Sequence, residues 1–110
     1  MYDGRESLSS IENFLLTGSL PEGLDTAKKY AFLRKARKYT LLNDVLFMKG
    51  ADFMLRRVPW KEEIYRILRD NHEGSCSGHF AFKITLDKIL QEGYVWPSIQ
   101  KDVDHWCKSC

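Results

Sequence analysis

The sequence predicts a small α+β domain, mostly helical, with a short antiparallel β-meander in its first half and a helical, metal-binding second half. Three observations predict it. Apolar residues recur at helical spacing in five segments of the 110-residue chain. Between them, "YTLLNDVLFMKGADFMLRRV" changes to short apolar runs broken by Asn43-Asp44 and by Lys49-Gly50-Ala51-Asp52, residues that tolerate the backbone of hairpin turns. Histidines and cysteines then gather in two close groups on either side of the fourth helical segment.

The elements follow in order. Ser9-Ser10-Ile11-Glu12 has capping-box spacing, with Ile11, Phe14 and Leu15 on one apolar face and Gly18 then Pro21 as the stop. Asp25 is placed to cap a second helix to about Lys38, with Tyr30, Leu33 and Ala36 turned inward. After the meander, Pro59 opens a third helix whose Ile64, Ile67 and Leu68 form an i, i+3, i+4 stripe and which ends near Asn71. A fourth carries Phe82, Leu86, Ile89 and Leu90 and stops at Gly93. Pro97 starts the last, in which Ile99, Val103, Trp106 and Cys110 share the inward stripe. Two units are expected: 1–58, helical plus meander, and 59–110, the metal-binding part. Trp60, Trp96 and Trp106 read as core anchors.

Composition narrows the function. With 44% hydrophobic and 13% aromatic residues the chain can bury a real core, although one short enough for a structural metal to matter. The net charge of +2 gives no overall attraction to nucleic acid, so such a role must rest on local clustering. Three cysteines do not make a disulfide scaffold, and neither a signal-peptide core nor a membrane-length apolar run is present. A soluble, non-secreted protein of the nucleus or cytoplasm is expected, where Cys and His together point to metal before disulfide.

"HEGSCSGHF" places His72 and His79 with six residues between them and glycines to fold the turn back. Cys107-Lys108-Ser109-Cys110 is a C-x-x-C at the other end. Structural zinc takes four N or S donors, often as two close pairs, so His72, His79, Cys107 and Cys110 are the candidate ligands and zinc the candidate cofactor. Cys76 and His105 are spare; Cys76 lies mid-turn, awkward for an ion shared with both flanking histidines. Taken singly, each pair has a plainer reading, polar surface for the histidines and small buried hydrophobes for the cysteines.

Lys28, Lys29, Arg34, Lys35, Arg37 and Lys38 crowd one helix beside Tyr30, Phe32 and Tyr39. Phosphate contact is the functional reading, with Lys35 and Lys38 as its candidates, and a solvated face is the plainer and favoured one. Arg56-Arg57 and Arg66 with Arg69 are similar. No Ser-His-Asp set, P-loop or dinucleotide motif is present, and Asp102 with Asp104 lacks a third acidic partner. The chain reads as a non-catalytic domain.

The order of Gly78-His79-Phe80, Lys83 with Thr85, Tyr94 to Pro97 and Asp102-Val103, ending in "WCKSC", resembles the His-His-Cys-Cys zinc-binding domain of retroviral and gypsy-type retrotransposon integrases. Upstream, "LLTGSLPEGLD" and "LLNDVLFMKGADFMLRRVP" resemble the extension preceding that domain in plant gypsy-type elements, so the likeness covers roughly 9–110. It implies zinc binding, support of integrase assembly with other integrase subunits or domains, and contact with retrotransposon DNA ends. Strand transfer would belong to a separate acidic-triad domain. Matched to the family's pattern, Cys110 is the first cysteine of the pair, Cys107 a spacer, and position 113 the second ligand. On that alignment the chain holds three-quarters of a zinc site. The reading from another class is a non-catalytic protein-interaction module that binds neither metal nor DNA.

Overall fold

A computed structural model of the chain describes residues 1–72 and 80–108. Among these, a 3-10 turn over Arg5–Leu8 leads into α1 (Ser9–Thr17), then α2 (Thr26–Ala36), β1 (Tyr39–Leu42), β2 (Val45–Lys49), β3 (Leu55–Arg57), α3 (Lys61–Asn71), α4 (Phe80–Gln91) and α5 (Ile99–Lys108). The class is α+β, mostly helical, with one antiparallel sheet in the order β1-β2-β3. No described helix is long and apolar enough to cross a membrane.

The turns form where the sequence allows positive φ. Asn43 (φ 48°) and Asp44 (φ 64°) make the two-residue hairpin between β1 and β2, which sets the register Leu42↔Val45 to Tyr39↔Met48. The next turn closes with Gly50 N–H donating to Met54 O at 3.0 Å and has Phe53 at φ 64°. Asp25 caps α2 as expected, its Oδ1 accepting from Lys28 N at 2.8 Å. Gly18, at φ 77°, ends α1 in the left-handed conformation.

Three local expectations are corrected. Ser9 is already helical and makes no cap; the α1 start is held instead by Arg5, whose guanidinium donates to both Glu12 carboxylate oxygens (3.1 and 2.6 Å) and to Asp44 O (2.6 Å). A buried arginine that needs a carboxylate outcompetes the serine box for Glu12. Tyr30 is 64% exposed, and Phe32 takes the inward role, meeting Phe14 edge to face at 5.6 Å between centroids. Trp60 lies at the surface under the Arg5 guanidinium, 4.5 Å from its ring centroid, rather than in the core.

Two apolar clusters result. One joins Leu8, Ile11, Ala36, Tyr39, Leu46 and Val58 beneath the sheet. The other joins Ile64, Ile67 and Leu68 of α3 with Ile89 of α4 and Val95, Trp96, Ile99 and Val103 around α5. Tyr2 and Met48 touch both, so the clusters are continuous. The segment after α4 also runs along the sheet edge: Arg57 N–H donates to Gly93 O (2.8 Å) and Val95 N–H to Arg57 O (3.1 Å). Together these contacts fix the orientation of α5, the helix that carries Cys107.

Candidate metal centre

The site is assembled at one end of the α3–α4–α5 bundle. Helix α3 ends at His72, whose backbone (φ −103°, ψ 49°) leaves the helix while its N–H still reaches Arg69 O at 3.3 Å. The preceding Asn71 is buried, and its Nδ2 donates back to Ile67 O at 2.8 Å, so the last turn is held against the core. Helix α4 buries Ala81, Thr85 and Ile89 at i, i+4 and i+8. Helix α5 turns Ile99 and Val103 inward, and Cys107 comes next at the same spacing.

These three stripes meet. His72 Nδ1 lies 3.6 Å from Cys107 Sγ and 3.5 Å from Thr85 Oγ1, and Cys107 Sγ lies 3.8 Å from that hydroxyl. Thr85 is only 2% exposed, so the group is closed off on the α4 side.

The donor chemistry fits zinc. Zn–N bonds of about 2.0–2.1 Å and a Zn–S bond of about 2.3 Å at a tetrahedral angle put N and S about 3.6 Å apart. The His72–Cys107 separation therefore has the span of two ligands on one ion. Among the described residues no group of three His, Cys, Asp or Glu side chains converges on a point, so the described residues bring together two candidate donors, His72 and Cys107. His79, Cys76 and Cys110 lie outside the described residues. His105 is exposed on α5.

The sequence points to Thr85 only through the family resemblance. Its signal was there: a threonine spaced four residues from both Ala81 and Ile89 on a buried stripe. Asp102, by sequence half of an incomplete acidic pair with Asp104, has a different role. It is 3% exposed, and its Oδ2 accepts from Tyr2 N (3.0 Å), Trp96 Nε1 (3.0 Å) and Ser98 Oγ (3.1 Å). Asp104 pairs with Lys108 at 3.0 Å. Neither is arranged for metal-dependent catalysis.

The basic residues divide into two sets. Arg56 is held by Asp52 (2.7 Å) and Arg57 by Glu63 (2.6 Å), and these ion pairs tie down the sheet edge. Lys35, Arg37 and Lys38, at and just beyond the end of α2, are exposed and form no ion pair among the described residues.

Residues 59–110 match the integrase zinc-binding domain family. This segment is similar to an integrase zinc-binding domain. The whole chain is also similar, distantly, to gypsy retrotransposon integrase-like protein 1 of Mus musculus, at 28% identity over 98% of this chain and 21% of the relative. The Homo sapiens and Pongo abelii proteins of that name are 26% identical over the same shares. The chain thus spans about a fifth of the length of these curated relatives. No solved structure matches it. The match to the integrase domain begins at Pro59, directly before α3, and takes in all three helices that meet at His72, Thr85 and Cys107.

Proposed function

We propose that this chain is the zinc-binding part of a gypsy-type retrotransposon integrase, stabilising integrase assemblies and helping to hold element DNA ends in the nucleus or cytoplasm. By this reading it performs no strand transfer itself. His72, His79 and the two cysteines Cys107 and Cys110 would hold the ion. Zinc would serve as a structural cross-link between the end of α3, the segment that carries His79, and α5 with the residues that follow it. The observation that carries the proposal is the 3.6 Å approach of His72 Nδ1 to Cys107 Sγ inside the matched domain. Lys35 and Lys38, in no ion pair among the described residues, supply positive charge on the α2 side for phosphate contact.

An interaction module without metal draws on a different feature, the exposed Phe53, Met54 and Leu55 of the second hairpin turn. Metal analysis separates the two readings. The chain purified from zinc-supplemented medium should retain about one zinc ion per molecule, and chelation should lower its thermal stability and bundle-end protection from hydrogen exchange. A chain that purifies without zinc and melts identically with and without chelator would leave the metal-free module as the surviving reading.

A further inference from the structure

A groove of about 550 Å³ runs between the α2–β1 junction, the end of β2 and the start of α5. Its lining carries three cations, Arg37, Lys38 and Lys49, and no carboxylate. Its floor is apolar, with Met48 and Val95 next to Pro97. None of the three cations forms an ion pair among the described residues. The nearby acids are committed elsewhere: Asp52 to Arg56 at 2.7 Å, and buried Asp102 to Tyr2, Trp96 and Ser98.

The sheet register makes this arrangement costly. The ladder pairs Tyr39 with Met48, and one step further Lys49 N–H donates to Lys38 O at 2.8 Å, so the two lysines stand opposite each other. Like charges directly opposite across a strand pair destabilise it, and Arg37 adds a third charge to the same mouth. Neutralisation by a bound polyanion removes that repulsion.

We propose that this groove is a binding site for the sugar–phosphate backbone of duplex DNA. Phosphates sit on Arg37, Lys38 and Lys49, and a deoxyribose rests on the Met48–Val95–Pro97 floor. The inference rests on the reading of the chain as DNA-contacting and moves the contact from the outer face of α2, where Lys35 points to solvent, into the groove. Such a site reads no sequence, because its partners are phosphate and sugar.

The test is a fluorescence-anisotropy titration of the zinc-loaded chain with a short mixed-sequence duplex at several salt concentrations. Lys49→Gln and Arg37→Gln are compared with Lys35→Gln on the outer face of α2 and with Lys101→Gln, exposed on α5 and outside the groove, and each variant is checked for unchanged zinc content and melting temperature. Lys49→Gln and Arg37→Gln should each make the slope of log affinity against log salt shallower by about 0.9, the contribution of one phosphate contact, and by more than Lys35→Gln does, with Lys101→Gln at wild type. Should Arg37→Gln fail to fold, Lys49→Gln alone carries the comparison. Duplex binding that is lost with Lys35→Gln but unchanged by both groove variants overturns the groove while leaving DNA contact standing. A wild-type chain that does not bind duplex at low salt overturns both. Displacement of duplex by polyglutamate or single-stranded RNA at equal charge concentration overturns the assignment to DNA and gives the groove to that competitor.

Discussion

The indole Nε1–H of Trp96 donates to Asp102 Oδ2 at 3.0 Å, and both residues are buried, at 1% and 3% exposure. The same oxygen accepts the backbone N–H of Tyr2, a hundred residues away, at 3.0 Å. One carboxylate thus joins the beginning of the chain, the aromatic residue before α5 and the first turn of α5 itself.

Replacing Asp102 by Ala should cost about 3–5 kcal/mol of stability, because a charged acceptor is removed and buried donors are left without partners. Asp102→Asn keeps one carbonyl oxygen and should lose less, about 1–2 kcal/mol. Urea unfolding of the zinc-loaded proteins measures both. Equal losses for the two variants would mean that shape rather than acceptor strength is what Asp102 supplies.

Gly4 is the tightest point of the N-terminal segment. It sits at φ 87°, and a Cβ there would run into the backbone of Lys61 at the start of α3. Gly4→Ala therefore combines a disfavoured conformation with a clash against atoms that cannot rotate away, and should cost at least about 2 kcal/mol. Gly18→Ala, at φ 77° but with open space around it, should cost only about 1 kcal/mol. Matching thermal shifts for the two substitutions would show that Gly4 and Lys61 do not make this close approach in solution.

Glu63 supplies a pH dependence with a definite sign. Hydrogen bonds from Arg57, with the Trp60 backbone N–H adding to them, hold its carboxyl below the usual carboxylate range despite partial burial. A carboxyl lowered in the folded state stabilises the fold above its unfolded pKa, and that stability is lost as pH falls through the lowered value. Its magnitude is on the order of 1 kcal/mol, since Arg57 is about a third exposed and water screens the pair. Glu63→Gln should therefore be less stable than wild type at neutral pH and converge with it in acid. Parallel stability curves down to acid pH would remove the pair from the account.

How much of this was legible depends on whether a residue's role is set by its own segment. The Asn43-Asp44 hairpin, the Asp25 cap and the Ile64–Ile67–Leu68 stripe were readable because neighbours within four residues determine them. Arg5 with Glu12 was not, since it also needs Asp44 O from a turn brought close only by the fold. The same holds for Tyr30 and Phe32: both are aromatic residues on α2, and only the position of Phe14 decides which one faces inward. At the candidate metal centre, spacing alone offers His72 and Cys107 as donors, but the place of Cys107 beside His72 depends on the rotation of α5. Asp102, Trp96 and the chain's first residues set that rotation across the whole length of the sequence.

That rotation leads to the last prediction, which concerns the choice between the two cysteines. The family's pattern makes Cys107 a spacer, whereas α5 delivers its Sγ to 3.6 Å from His72 Nδ1, the span of two zinc ligands. If Cys107 binds the ion, Cys107→Ser should weaken zinc binding at least tenfold in a competition titration, because an alcohol is a poor substitute for a thiolate on zinc. Cobalt substitution gives an independent readout, since sulfur-to-metal charge-transfer absorption follows the number of thiolates and should fall in Cys107→Ser and again in the double variant with Cys110→Ser. Thr85→Val tests the surroundings without touching a sulfur. It removes the hydroxyl 3.5 Å from His72 Nδ1 but keeps the branched shape, so the fold should persist and any change in zinc affinity reports on the hydroxyl's support of the ring. Wild-type affinity and an unchanged cobalt spectrum in Cys107→Ser would return Cys107 to the role of spacer and leave its approach to His72 as core packing.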